Sequence, residues 1–305
     1  MEKIGNVQLD DTFYPGEDFY CDGPIEDEML EIAKTYSESE WNKVIAERKN
    51  WPILYHFSHI RANIVRWLPI TKEDEVLEIG SGCGAITGAL AEMAKQVDCI
   101  ELSMKRTKIN AYKHRDKENI KIQVGNFKDI EKSITKKYDY ITLIGVFEYA
   151  ESYMGTDSPY ENFLNLIKKH LKPDGKIVIA IENKYGLKYW AGCKEDHVGM
   201  YFEGIEGYTT TKGIKTFSKQ ELECFMKTCG LARIEFYYPY PDYKFPKTIY
   251  SDLHLPEMHE LSSNSNNFDH TRLSLFNEEK VFDNLIKDNL FPQYANSYVV
   301  IAQGE

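Results

Sequence analysis

The chain has 305 residues, of which 42% are hydrophobic and 28% charged, and its formal net charge is −11 at pH 7. This composition is typical of a soluble globular protein, and the length allows one large α/β domain with additional elements. Because an acidic surface repels phosphate backbones, the charge argues against DNA or RNA as a substrate.

Residues 1–70 are polar and aromatic, and their pattern predicts two helices. The first follows Gly23–Pro24 and runs to about Lys49, and the second starts near Pro52 and ends before Pro69. Apolar side chains recur at helical spacing in the second. We expect residues 1–70 to form a helical cap that contacts the mouth of the active site. The alternative is that these helices only pad the sheet.

From Lys72 onward, short apolar runs alternate with helical segments, a pattern that predicts a parallel sheet with helices on both faces. A turn is expected at 172–175. The expected strands are Glu75–Ile79, Val97–Leu102, Ile120–Val124, Tyr138–Ile144 and Lys176–Ile181, and the expected helices are Ala85–Ala94, Ser103–His114 and Tyr160–Leu171.

After Ile181 the pattern loosens into two insertions, at about 182–216 and 239–293, within a main domain that spans 71–305. Ser218 and Glu221 form a capping-box pattern that starts a helix over Ser218–Thr228. Further elements are expected at Leu231–Tyr238 (strand), Asn277–Asp288 (helix) and Ser297–Ala302 (strand). Because the last strand does not follow a βαβ pattern, we expect it to be antiparallel to its neighbours.

A glycine-rich loop, Gly80-Ser81-Gly82-Cys83-Gly84, joins the first strand of the alternating pattern to a helix. Glycines allow positive φ angles and close approach of the backbone to a ligand. The helix N-terminus favours an anion, such as a pyrophosphate or the carboxylate of a methionine moiety. Gly80, Gly82 and Ala85 also match a relaxed dinucleotide-binding pattern, and a purely structural turn is a third interpretation.

Polar residues at the ends of the next strands favour a nucleotide ligand. Glu101 lies about 20 residues after Gly80, where a carboxylate can accept hydrogen bonds from both ribose hydroxyls. The alternative is a solvated carboxylate at a strand end. Asn126 and Phe127 follow the third strand and suit the edge and face of an adenine, although turn formation and core packing would also explain them.

Six blocks in order, VLEIGSGCG, IELS, GNF, YDYITLIGVFEYA, LKPDGKIVIAIENK and ANSYVVIA, resemble class I S-adenosylmethionine-dependent methyltransferases. The resemblance implies a Rossmann-like α/β fold with strand order 3-2-1-4-5-7-6 and an antiparallel strand 7. It also implies S-adenosyl-L-methionine as the cofactor and S-adenosyl-L-homocysteine as the product. The segments IENKYGLKYWAG, EDHVG, IEGY and YYPYPDYKFP are similar to a bacterial subgroup associated with glycan and secondary-product clusters.

The resemblance assigns cofactor contacts to matching positions. Asn126 departs from the many members that have Asp there, but its carbonyl oxygen can still accept from the adenine amino group. The implied contacts are Glu78, Gly80, Ser81, Gly82 and Gly84 at the methionine end, Glu101 and Leu102 at the ribose, Asn126 and Phe127 at the adenine, and Val146 and Glu148 near the sulfonium.

The acceptor side is expected in the insertions. A hydroxyl acceptor needs a general base, and His197 suits this role by its intrinsic pKa, with Glu182 at a strand end as the second candidate. Both could instead be structural. The aromatic residues expected to contact the substrate, or else to pack the insertions, are Tyr185, Tyr208, Tyr240 and Tyr243.

The sequence therefore predicts a cytoplasmic methyltransferase that acts on a small molecule or a glycan, most simply by O-methylation. Its N-terminus lacks a signal-peptide pattern, no apolar stretch approaches the roughly 20 residues of a membrane span, and its six cysteines show no zinc spacing. We expect no bound metal, since His56 and His59 lack further ligands nearby. The alternatives are a non-catalytic cofactor-binding partner protein and an NAD-dependent dehydrogenase.

Overall fold

A computed structural model describes residues 2–18, 20–262 and 272–304. The chain divides into two compact units. The first unit comprises Met1–Leu143 and Leu166–Gly175, and the second comprises Ile144–Asn165 and Lys176–Glu305. The expected boundary near residue 70 is therefore not where the chain divides. Residues 263–271, which fall in the expected insertion at 239–293, lie outside the described residues.

The first unit contains a mostly parallel sheet. Its strand order is β1-β2-β5-β4-β3-β6, and only the β1–β2 pair is antiparallel. The segment β5-β4-β3-β6 is the predicted order 3-2-1-4. The strands are β1 (Glu2–Ile4), β2 (Val7–Phe13), β3 (Glu75–Ile79), β4 (Gln96–Glu101), β5 (Ile120–Gly125) and β6 (Tyr138–Ile144).

The N-terminal segment is not wholly helical, so that part of the prediction is wrong. β2 pairs in parallel with β5, with Leu9 opposite Ile122. The physical reason is an alternation of period two, since Val7 and Leu9 are buried while their neighbours are less so. The first residues of the chain therefore extend the sheet of the first unit.

The helices of the first unit are shorter than predicted. The expected helix up to Lys49 is interrupted, because Ser37 starts a new 3₁₀ turn with its own capping box. Met29, Trp41 and Ile53 share a core with Cys83 of the glycine loop and with Ile109. The helices are α1 (Ile25–Thr35), α2 (Trp41–Arg48), α3 (Trp51–Phe57), α4 (Asn63–Arg66), α5 (Thr87–Met93), α6 (Met104–Lys113) and α7 (Phe127–Ile130), with 3₁₀ turns at Glu38–Glu40, His59–Ala62 and Glu131–Ser133.

The second unit contains the strand order β7-β10-β8-β9. β10 is antiparallel to both β7 and β8, which confirms the predicted order 5-7-6 and the antiparallel last strand. The expected turn at 172–175 is instead the start of β7, and β9 was not predicted. The strands are β7 (Leu171–Glu182), β8 (Leu231–Tyr240), β9 (Thr248–Ser251) and β10 (Ser297–Gly304).

Two helices of the second unit begin at the predicted residues. Ser218 and Glu221 form the expected capping box, and Asn277 caps the later helix. No helix among the described residues is both long and apolar enough to cross a bilayer. The helices are α8 (Ala150–Met154), α9 (Pro159–Lys168), α10 (Leu187–Trp190), α11 (Lys219–Thr228), α12 (Glu278–Lys287) and α13 (Phe291–Tyr294), with a 3₁₀ turn at Phe147–Tyr149.

Candidate active site

The glycine loop of the first unit needs its glycines for two different reasons. Gly80, Gly82 and Gly84 have φ angles of 72°, 52° and 73°, a region that favours glycine. A Cβ at Gly84 would lie 2.3 Å from Asn110 Oδ1, whereas a Cβ at Gly82 would have nothing within 4 Å. Gly84 is therefore needed for packing, and Gly82 leaves space beside the backbone.

Glu101, at the end of β4, is bonded to the glycine loop. Its Oε2 accepts from the Gly82 amide at 2.7 Å, and its Oε1 accepts from the Ser103 amide at 3.0 Å. Burial raises the pKa of Glu101, although the Ser103 amide and the Arg106 charge oppose this. The residue is thus a buried, hydrogen-bonded carboxylate and not the solvated strand end of the alternative interpretation.

Ser81 in the glycine loop and Glu78 in β3 have unusual surroundings. The Ser81 hydroxyl is buried and has no hydrogen-bond partner among the described residues. Glu78 is also buried, and its Oε2 accepts from the Thr87 hydroxyl at 2.7 Å. Burial raises the pKa of Glu78 to about 7. A buried hydroxyl without a partner is a group that a bound polar ligand could satisfy.

The remaining predicted cofactor residues lie at the ends of neighbouring elements. Asn126 caps α7, because its Oδ1 accepts from the Lys128 amide at 2.9 Å. Phe127 is buried, and Leu102 is half-buried after β4. In the second unit, Val146 and Glu148 follow β6 and are both buried. The side-chain carbonyl oxygen of Asn126 thus already accepts one hydrogen bond in a local turn.

In the second unit, the two predicted catalytic residues lie together with Glu148. His197 Nε2 is 3.3 Å from Glu182 Oε2 and 3.9 Å from Glu148 Oε1. The other ring nitrogen, Nδ1, is 3.2 Å from the Tyr149 hydroxyl. Both carboxylates are fully buried, and the His197 side chain is 8% exposed. We call Glu148, Glu182 and His197 the carboxylate–histidine cluster.

Two lysines, the buried Lys188 and the largely buried Lys244, compensate part of the negative charge in this region. Lys244 Nζ lies 2.9 Å from Glu182 Oε1 and also pairs with Asp196. Lys188 Nζ lies 2.8 Å from Asp196. By contrast, neither carboxylate oxygen of Glu148 has a hydrogen-bond partner among the described residues. Glu148 is therefore the unsatisfied member of the cluster.

The pKa values within the cluster diverge. Burial alone would lower the pKa of His197, but its attraction to Glu182, their hydrogen bond and the nearby Glu148 raise it to about 9. Burial raises the pKa of Glu148, and the charge of His197 opposes this only in part. Burial would also raise the pKa of Glu182, but Lys244 and His197 hold it well below its usual range. At neutral pH, His197 is thus an imidazolium paired with the Glu182 carboxylate.

The backbone of His197 is held in place by Glu195. Glu195 Oε2 accepts from the His197 amide at 2.7 Å, and its Oε1 accepts from the Tyr208 hydroxyl at 3.0 Å. Tyr208 adopts a φ of 58°, which is uncommon for a residue other than glycine. The insertion after β7 is thus fixed by specific polar contacts around His197.

Comparison with known proteins supports the interpretation of the fold. Residues 77–177 match the family model described as a methyltransferase domain. The match covers the glycine loop, Glu101 and the first part of β7, and the strand order in each unit is that implied by the resemblance. Residues 77–177, which are 101 of the chain's 305 residues, are therefore similar to a methyltransferase domain.

Solved structures similar to this chain include a possible histamine N-methyltransferase from Thermotoga maritima, with 15% identity, TM-score 0.46, and coverage of 88% of this chain and 98% of that one. A methyltransferase from Archaeoglobus fulgidus has 16% identity, TM-score 0.49, and coverage of 81% and 95%. Phosphoethanolamine N-methyltransferase 1 from Haemonchus contortus has 14% identity, TM-score 0.49, and coverage of 92% and 50%. No curated protein matches the chain. Similarities this low give no information about the acceptor.

The predicted substrate tyrosines differ in their surroundings. Tyr208 lines a cavity of about 430 Å³ in the second unit. Tyr240 and Tyr243 are 7% and 2% exposed and do not line this cavity. Tyr185 is 37% exposed.

Lys188, Lys244 and Tyr149 were not predicted as members of this region. Nothing in a sequence distinguishes a lysine that becomes buried from one at the surface. Lys244 and its partner Asp196 are 48 residues apart, so no short sequence motif indicates that they pair. Tyr149 follows directly after the predicted Glu148, so its position at the end of β6 was the available signal.

The geometry also bears on metal binding. Among the described residues, one oxygen of each cluster carboxylate and one His197 nitrogen lie within 4.8 Å of one another, close enough to share an ion. His56 and His59 do not form such a group, because His56 lies 3.5 Å from Asp22 and His59 contacts Asn42. The absence of a metal stays a prediction.

Proposed function

We propose that the chain is an S-adenosylmethionine-dependent methyltransferase. It transfers the methyl group of this cofactor to a hydroxyl oxygen of a small molecule or a glycan. The observation that supports this most directly is the pairing of His197 with the buried Glu182. A hydroxyl nucleophile must lose its proton during transfer, whereas a carboxylate or a neutral amine need not. A histidine oriented by a carboxylate is the arrangement that accepts such a proton.

His197 would act as the base and Glu182 would orient it. In its neutral form, His197 donates from Nε2 to Glu182, and its Nδ1 lone pair can accept from a hydroxyl. The Tyr149 hydroxyl occupies that place, 3.2 Å from Nδ1, and a substrate hydroxyl would replace it. After the proton is transferred, the two carboxylates stabilise the imidazolium.

The glycine loop fits the cofactor. The space beside Gly82 admits a ligand to the backbone, and the unpaired Ser81 hydroxyl offers it a hydrogen bond. When bound, S-adenosylmethionine supplies a methyl group activated by a sulfonium. We propose that the methionine end is held by Glu78, Gly80, Ser81, Gly82 and Gly84, the ribose by Glu101 and Leu102, the adenine by Asn126 and Phe127, and the sulfonium region by Val146.

Glu148 would have a different role from the one the resemblance implies. It is fully buried against His197 and has no hydrogen-bond donor of its own among the described residues. We therefore assign it an electrostatic effect on His197 and not a contact with the sulfonium. We also propose a cytoplasmic location, because all six cysteines are free thiols, and a non-nucleic-acid substrate, because the chain is acidic.

A transfer assay tests this function. The full chain is incubated with isotopically labelled S-adenosylmethionine and either a set of free sugars and small alcohols or bulk tRNA. The methylated atom is then located by tandem mass spectrometry. We expect label on a hydroxyl oxygen of at least one small acceptor. Label only on nitrogen, on a carboxylate or on tRNA would contradict the proposal.

A further inference from the structure

The cavity in the second unit lies between the start of α9, the start of α11 and the insertion after β7. Its volume of about 430 Å³ is within the range of small-molecule sites. Tyr160, Phe217 and Phe225 line it and pack against each other, with Tyr160 and Phe217 edge to face at 4.7 Å between ring centroids. The cavity thus has an aromatic wall.

The lining of the cavity is also acidic. Lys184 Nζ lies 2.6 Å from Glu221, which leaves Glu151, Asp157 and Glu161 with only Lys215 as a charged counterpart in the lining. None of these three carboxylates forms an ion pair with any described residue. Aromatic faces and carboxylates both attract cations.

Two buried polar atoms in the lining have no hydrogen-bond partner within the described parts of the chain. Tyr160 is 6% exposed, and its hydroxyl makes no hydrogen bond to any described residue. One carboxylate oxygen of Glu151, Oε2, is likewise buried and unpaired. A buried hydroxyl or carboxylate without a partner is costly, so these atoms point to a ligand that supplies hydrogen-bond donors.

We propose that this cavity binds a small molecule with an ammonium group and hydroxyl groups, and that this molecule is the methyl acceptor. The assignment as acceptor rests on the proposed function. Tyr208 connects the two sites, because it lines the cavity and its hydroxyl donates to Glu195, which accepts from the His197 amide. An amino sugar has the required chemistry.

Calorimetry with three matched sugars tests the proposal on the full chain without cofactor. Glucosamine, glucose and glucuronate have similar size and differ in charge. We expect glucosamine to bind about tenfold more tightly than glucose, and glucuronate most weakly, because the lining attracts a cation. Glu151→Gln should remove most of the preference for glucosamine, and Tyr160→Phe should weaken both glucosamine and glucose. Glu279→Gln, an exposed position on α12, is the matched control.

The outcomes separate the two proposals. Equal affinity for glucosamine and glucose, tightest binding of glucuronate, absence of binding, or an unchanged preference in Glu151→Gln would each overturn the cation site. If glucosamine binds as expected but small hydroxyl acceptors are never methylated on oxygen, the site stands and the proposed reaction fails. If a neutral sugar is methylated and glucosamine neither binds nor reacts, the reaction stands and this assignment fails.

Discussion

The glycine loop and the carboxylate–histidine cluster are built in opposite ways. The loop depends on backbone conformation over five consecutive residues, and its main outside partner, Glu101, ends the adjacent strand β4. The cluster depends on side chains that come from the end of β6, the end of β7 and the following insertion. Local backbone conformation therefore shapes the proposed cofactor site, whereas tertiary packing assembles the proposed proton acceptor. Each of the two can be altered without the other.

The largest effect is expected at the cluster. His197→Ala removes the proposed base, and kcat should fall about 100- to 10,000-fold, which is the usual contribution of general-base catalysis. The affinity for S-adenosylmethionine, measured by calorimetry, should stay unchanged. His254→Ala, at an exposed position, serves as the control. A variant at His197 with full kcat would remove this residue from the mechanism.

A smaller effect, on cofactor affinity and not on kcat, is expected at Glu101, the partner of the glycine loop. Glu101→Ala removes a carboxylate proposed to accept two ribose hydrogen bonds, so the affinity for S-adenosylmethionine should fall about 100-fold. The kcat at saturating cofactor should change much less. Exposed Glu118 in the same unit provides a matched control as Glu118→Ala. Unchanged cofactor affinity in Glu101→Ala would mean that β4 does not contribute to the ribose site.

Gly82 and Gly84 of the glycine loop allow a finer comparison. Their φ angles are similar, but only at Gly84 would a Cβ collide with Asn110. Gly84→Ala should therefore lower the free energy of unfolding by about 2 kcal/mol or more, as strain and overpacking add. Gly82→Ala should cost less stability and weaken cofactor binding about tenfold, because the methyl group fills the space proposed for the ligand. Urea denaturation and calorimetry measure the two effects, and equal changes in both variants would contradict this division.

The difference between the regions also explains what the sequence could predict. The strands around Gly80, Glu101 and Asn126 follow from periodicity and caps, so these strands and the antiparallel β10 were predictable. The sequence suggested His197 and Glu182 separately, but not that they pair, because they lie 15 residues apart, with α10 and irregular segments between them. The strands of the N-terminal segment were missed because Val7 and Leu9 give too short an alternation. Burial of Lys188 and Lys244 has no sequence signal, since it depends on Asp196 in the folded chain.

The pH dependence of turnover should reveal the link between Glu148 and His197. Because the pKa of His197 is raised to about 9, the base form is scarce at neutral pH, and kcat should rise with pH and level off above about 9. Glu148→Gln removes one of the carboxylates that raise this pKa, so the midpoint should move to lower pH by roughly one unit. A profile that is flat from pH 6 to 10, or a midpoint unmoved in Glu148→Gln, would contradict the proposed coupling.

The smallest expected effect is that of metal removal. The donor atoms of Glu148, Glu182 and His197 lie close enough to share an ion, but Glu182 already contacts Lys244 and His197, so its charge is compensated within the protein. Dialysis against a chelator should therefore leave kcat unchanged, and added Mg²⁺ or Mn²⁺ should not raise it. Activity that is lost on chelation and restored by one of these ions would assign the cluster to a metal site, and the hydroxyl proton would then be removed with the help of that ion. The same experiment on Glu148→Gln distinguishes the two cases, because loss of a metal ligand would abolish the restoration, whereas loss of an electrostatic neighbour would only shift the pH midpoint.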